Sequence, residues 1–160
     1  MAETQPGKPR DSARVFVPPP FIYVAVFLVA LLLERWVPLG QLPRQPARVA
    51  ALVCAVLWAL LMLPAFALFL ANRTGILPVR PATALVTSGP YRFTRNPMYL
   101  GLVFLYLAIA LWFDVAWALI LLPVVVIIVQ LAVITREEAY LERRFGEDYR
   151  AYRRRVRRWL

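Results

Sequence analysis

Gly89-Pro90-Tyr91-Arg92-Phe93-Thr94-Arg95-Asn96-Pro97-Met98-Tyr99-Leu100-Gly101 is a polar, basic and turn-rich stretch set between long apolar runs. Proline fixes φ and glycine permits close backbone approach, so Pro90, Pro97, Gly89 and Gly101 describe a shaped loop entering a helix. Composition alone also allows a solvated connector whose arginines set membrane orientation. Tyr91, Phe93, Asn96 and Tyr99, interleaved with Arg92 and Arg95, point instead to a binding loop.

Outward from this loop the chain is apolar in blocks. Hydrophobic residues make up 61% of 160 residues. A soluble domain of that size has too little interior for such blocks, which makes the chain an integral membrane protein of one domain. The formal net charge of +10 is carried almost wholly by arginine. The basic residues flank apolar spans, so they read as orientation signals and contacts to anionic lipid, not as a nucleic-acid surface. The single cysteine, Cys54, lies inside an apolar run and reads as a packed thiol. There is no histidine, which excludes a histidine-based triad and speaks against a zinc site.

The pattern predicts an all-α, polytopic membrane bundle of about four transmembrane helices, followed by a cytosolic amphipathic helix. Residues 1–17 form a polar cytosolic tail, and residues 18–160 the membrane domain. Pro18, Pro19 and Pro20 open the first span, 21–37, where a missing N–H costs nothing. Glu34, Arg35 and Trp36 mark its far interface. A short proline-rich loop leads to the second span, 48–71, which carries Pro64. Residues 72–97 form a long polar connection, a length that usually signals function. The apolar run from Met98 to Ile134 is too long for one crossing. It reads as a hairpin of spans 98–113 and 115–134 turning at Asp114. Gln130 in the last span should face other helices, because an amide in lipid is costly.

Basic residues test this topology. Three lie in the N-terminal tail, four in the central loop and nine after the last span, against three between the first two spans. The positive-inside rule then puts both termini, the central loop and the C-terminal segment on the cytosolic side. In that segment Leu141, Phe145, Tyr149, Tyr152, Val156 and Trp159 recur at spacings of three and four, one face of an amphipathic helix broken at Gly146. That face suits either the membrane surface or the central loop. The arginines Arg153, Arg154, Arg155, Arg157 and Arg158 read as a lipid-facing cluster. Glu137 and Glu138 follow the last span directly. They read as a solvated pair, or as a carboxylate site for an ammonium group at the lipid boundary.

Leu85-Val86-Thr87-Ser88-Gly89-Pro90-Tyr91, then Arg95-Asn96-Pro97-Met98-Tyr99-Leu100-Gly101, resemble the signature of the isoprenylcysteine carboxyl methyltransferase and phospholipid methyltransferase superfamily. Glu137-Glu138, Leu141, Phe145-Gly146, Tyr149 and Tyr152 resemble its C-terminal motif. The resemblance implies a small membrane methyltransferase using S-adenosylmethionine. Carried over by position, Thr83, Ala84, Leu85 and Val86 would line the cofactor pocket. Tyr91 would contact the cofactor, Asn96, Pro97, Met98 and Tyr99 would wall it, and Glu137 would bind its amino group. Asn96 matches the phospholipid form of the motif, where the isoprenylcysteine form has histidine. Val133 stands where the isoprenylcysteine enzymes carry an arginine for the substrate carboxylate.

No catalytic residue is singled out, because the sulfonium donor is already activated and the protein mainly positions the acceptor. Arg95, Gln130 and Arg136 are the candidates for substrate contacts, and no metal is expected. The acceptor should be an amphipathic lipid-like or prenylated molecule entering from the bilayer, methylated on a carboxylate oxygen or an amine. Two alternatives remain at this point. A membrane reductase with a nicotinamide cofactor would share the helical core, and a non-enzymatic scaffold would depend on the basic tail alone. The oligomeric state is open.

Overall fold

A computed structural model describes residues 17–72 and 83–160. The expected tail, apart from Val17, and residues 73–82 of the central loop lie outside the described residues. Helix α1 spans Pro19–Trp36, α2 Arg44–Ala71, α3 Pro97–Trp112, α4 Ala116–Val129, α5 Thr135–Phe145 and α6 Glu147–Arg155. A single 3₁₀ turn, Gly89–Arg92, precedes α3, and a π-helical turn, Gln130–Ile134, joins α4 to α5. All regular structure among the described residues is helical, as the apolar blocks predict.

The boundaries have local causes. Pro19 and Pro97 sit in the first turns of α1 and α3, where an N–H has no intrahelical acceptor. Gly146, at φ +55°, separates α5 from α6, a backbone state that costs glycine little. Asp114, at φ +59°, turns α3 into α4. The second helix begins earlier than expected, at Arg44. With 28 residues it is about 42 Å long.

Three helical rods are long and apolar enough to cross a membrane: α1, α2 and the continuous Ala116–Phe145 unit. α3 is apolar but has 16 residues, about 24 Å. The strongest packing is α2 along α3, then α1 along α4, with α3 against α4. Ala30, Ala110 and Ala118 are fully buried where the rods meet, as expected where small side chains let membrane helices approach. Gly101 serves the α2–α3 contact, and a Cβ there would lie 3.5 Å from Met62 Cε and 3.7 Å from Trp58 Cδ1. The outer faces of α1 and α2 expose Phe21, Val24, Leu28, Leu32, Leu52, Val56, Leu60 and Leu63, which suits contact with acyl chains.

Two apolar clusters result. One joins α1, α3 and α4 through Tyr23, Tyr106, Val125, Val129 and Ile134. The other joins Ala65 of α2 and Tyr91 of the loop to Tyr149 and Tyr152 of α6. The amphipathic face therefore folds over the central loop, one of its two expected settings. Trp159 departs from the expected helical face. α6 ends at Arg155, and Trp159 packs into the first cluster from a non-helical strap, residues 156–160.

Candidate functional site at the start of α5 and the start of α3

The apolar run ends at Ile134, and the next turn carries Glu137 and Glu138 in opposite settings. Glu137 Oε2 accepts a 2.6 Å hydrogen bond from the Tyr99 hydroxyl. Tyr99 lies in the first turn of α3, and its backbone carbonyl accepts a bond from Tyr23 of α1 at 3.3 Å. α1 thus holds Tyr99, and Tyr99 holds the carboxylate. Burial pushes the Glu137 carboxyl above its ordinary range. The Tyr99 hydrogen bond works against that rise and the Glu138 charge adds to it.

Tyr91 comes to the same place from the 3₁₀ turn. It is 8% exposed, its ring lies 5.8 Å from that of Phe69, and its carbonyl accepts a 2.7 Å bond from the Tyr152 hydroxyl. Burial raises its phenol far above the usual value, and the nearby Glu137 charge adds to the shift. Leu85, Val86 and Met98 pack around this cluster. Thr83 is exposed and Ala84 half-buried at the start of the described loop. Gly89 holds φ +58°, a backbone state that strains other residues, and a Cβ there would lie 2.8 Å from Leu68 Cδ1 and force that side chain to move.

Asn96 and Pro97, expected beside Tyr99 in the cofactor wall, are both buried. The Asn96 amide donates to the Arg158 carbonyl at 2.9 Å, and its N–H donates to Thr94 Oγ1 at 3.2 Å. Thr94 Oγ1 also donates to the Arg158 carbonyl, and the Arg95 N–H to the Arg157 carbonyl. The strap therefore pairs with the loop along residues 94–96. Glu138, 7% exposed, anchors it through two bonds from the Arg158 guanidinium, at 3.0 and 2.7 Å, with Arg95 at 3.2 Å on the other side. Tyr149, 1% exposed, borders this cluster, and its phenol is pushed up to about 12 mainly by burial.

The substrate candidates have other neighbours. Arg95 faces Glu138. Gln130 Oε1 accepts a 2.7 Å bond from the Trp159 indole. Arg136 is exposed. The arginine run is not one lipid-facing cluster. Arg158 turns inward to Glu138, while Arg153 and Arg154 reach Glu142 and Glu147. The reason is local: Arg154 lies two turns from Glu147 on α6, and the break at Gly146 leaves Arg153 within reach of Glu142 on α5. Sequence spacing carried no sign of the strap, since its partners lie about sixty residues away in the loop.

The arrangement suits a small ligand with a cationic group. It offers a desolvated carboxylate held by one phenol, with a second buried tyrosine alongside. Among the described residues, no group of three or more acidic, cysteine or histidine side chains is placed to hold a metal ion.

A family model described as "Phospholipid methyltransferase" matches residues 49–148. An uncharacterized protein of Haemophilus influenzae is 41% identical over 63 residues, which cover 39% of this chain and all of that protein. No solved structure matches the chain.

Proposed function

The chain belongs to the phospholipid methyltransferase family, and from that premise we propose that it is a multi-pass membrane methyltransferase that takes its methyl group from S-adenosylmethionine. The observation that carries the proposal is the Tyr99–Glu137 pair beside Tyr91. A carboxylate with one oxygen held by a phenol keeps its second oxygen for an ammonium group. Partial desolvation strengthens that contact relative to water.

When bound, S-adenosylmethionine supplies a methyl group on a positively charged sulfur, which leaves as a neutral thioether. The residues of this chain hold, orient and dry the site. Glu137 would hold the donor's amino group, and Tyr99 fixes the carboxylate for it. Tyr91 and Met98 cover apolar faces, with Leu85 and Val86 beneath them. The site would hold the acceptor atom in line with the methyl group that the donor supplies. A carboxylate needs no base, and an amine sheds its proton to water afterwards. A histidine-free chain is adequate for such chemistry.

We assign the site and both termini to the cytosolic side from the distribution of arginine. The acceptor enters from the bilayer as an amphipathic molecule. Val133, 1% exposed, supplies no cation for a substrate carboxylate. That favours an amine acceptor on a lipid over a prenylcysteine carboxylate.

Calorimetric titration of detergent-purified protein with S-adenosylmethionine and S-adenosylhomocysteine tests the donor, with Glu137→Gln alongside. Saturable binding of both by the wild type, weakened in the variant, is expected. A folded wild type that binds neither ends the proposal.

A further inference from the structure

The rod from Ala116 to Phe145 is not a plain α-helix. At Gln130–Ile134 it takes one π turn, closed by the Thr135 N–H donating to the Gln130 carbonyl five residues back. A π turn inserts one residue without ending the helix, and each residue is worth about 100° of rotation. The buried stripe of the rod shows the effect. It runs Val125, Val129, then the adjacent pair Val133 and Ile134, then Glu138. The step of four from Val129 reaches Val133, and the step of four that reaches Glu138 starts from Ile134, so the stripe shifts by one residue within the π turn. In an unbroken α-helix the stripe would run on through Val133 to residue 137. Glu137 would then stand where Glu138 stands, facing Arg95 and Arg158. The π turn thus gives two adjacent glutamates different partners, Tyr99 for Glu137 and the two arginines for Glu138.

The residue that opens the π turn is also held from outside. Gln130 accepts the indole N–H of Trp159 at 2.7 Å. Trp159 belongs to the strap that Arg158 pins to Glu138 and that Thr94 and Asn96 grip by the Arg158 carbonyl. One connected set of bonds therefore runs from the loop before α3, through the strap, to the first residue of the π turn. Gln130 carries both contacts, the i+5 backbone bond and the indole bond.

We infer that Gln130 and Trp159 are a positioning pair for the donor site: the indole holds Gln130 at the start of the π turn, and that turn aims Glu137 at Tyr99 and the bound donor. The inference rests on the proposed donor role of Glu137. Neither Gln130 nor Trp159 touches the donor.

The test is S-adenosylmethionine affinity of the folded protein, measured by calorimetry, for Trp159→Phe, Gln130→Leu and the double variant. Hydrogen exchange at the Thr135 amide is measured in parallel, without donor. Trp159→Phe keeps an aromatic ring in the cluster and removes the donated hydrogen. Each single variant weakens donor binding by roughly tenfold, the scale of one lost buried hydrogen bond. The double variant is no worse than either single, because both remove one interaction. Gln130→Glu keeps an acceptor at the same reach and returns affinity to within about threefold of wild type. Exchange at Thr135 quickens in both single variants. A lowered unfolding midpoint with unchanged donor affinity would make the pair merely structural and overturn the inference. So would losses that multiply in the double variant. If the wild type binds no donor, the functional proposal fails instead, and exchange at Thr135 decides the pair. Unchanged exchange in Trp159→Phe then overturns it.

Discussion

The two ends of the helical bundle both hold hydrogen-bonded carboxylates, and they satisfy them by opposite means. At the end carrying the α1–α2 loop, the acceptors are filled by backbone. Glu34 accepts N–H groups of Leu39 and Trp117 at 3.3 Å each, and Asp114 accepts the Leu42 N–H at 2.9 Å. These bonds stitch two turns together beside a cleft of about 600 Å³ that Arg44, Arg48 and Trp112 also line. At the other end the partners are side chains: Tyr99 on Glu137, Arg95 and Arg158 on Glu138. Backbone donors are supplied by any sequence, so the first end tolerates change. Side-chain partners are particular residues, and the second end depends on each.

The sharpest way to break this contrast is Glu138→Leu. It strands two guanidinium groups in a mostly buried cluster, and removal of one partner from such a cluster costs about 3–5 kcal/mol. Thermal or denaturant unfolding in detergent reads it. A loss no larger than that of an exposed ion pair would show that the strap is not anchored through Glu138.

Glu137→Gln separates binding from stability. A hydrogen bond to a charged group contributes about 1.5–3 kcal/mol, so donor affinity falls roughly ten- to a hundredfold. The unfolding midpoint stays level or rises, because the variant buries no charge. The pH dependence carries the same signature. The folded carboxyl lies above its unfolded value. As pH falls through the folded pKa, Glu137 takes a proton and donor binding weakens, starting above the ordinary carboxylate range. The group's contribution to stability moves the other way, rising as pH falls toward the unfolded pKa. Calorimetry and unfolding across the same pH series would show the two trends diverge. Parallel trends would place the titrating group elsewhere.

At the backbone-satisfied end, Asp114→Ala leaves the Leu42 N–H without its acceptor and costs about 1 kcal/mol. Asp114→Asn costs less, since asparagine keeps an acceptor and accepts the left-handed backbone at φ +59°. The unfolding midpoint should order these as wild type, Asn, Ala. The smallest effect is at Glu147, exposed on α6 and paired with Arg150 and Arg154. Its pKa is lowered by those hydrogen bonds, Arg154 first, yet solvent screens the pairs. Glu147→Gln should leave both donor affinity and the unfolding midpoint where they were.

Much of the helical frame was legible in the chain because local chemistry dictates it. Prolines opened α1 and α3, Gly146 broke the C-terminal helix, and Asp114 turned the last hairpin. The central loop and Glu137 were legible as one neighbourhood only through the resemblance, and the bond between Tyr99 and Glu137 was not legible at all. The strap was not legible. Its bonds are to backbone carbonyls of Arg157 and Arg158, and a carbonyl has no signature in side-chain spacing. The π turn was equally hidden. Gln-Leu-Ala-Val-Ile carries no residue that forbids a regular α-helix, so tertiary contact decides its form. The arginine run misled because charge density alone does not tell an inward guanidinium from a lipid-facing one.

The strap also bears on biosynthesis. The ribosome makes Arg158 twenty residues after Glu138. At about 5–20 residues per second, that interval is roughly one to four seconds. Until Arg158 is made, Glu138, Thr94 and Asn96 have no access to the partners that the strap brings. Any ribosome that halts short of residue 158 delivers a chain in which those groups never gain them.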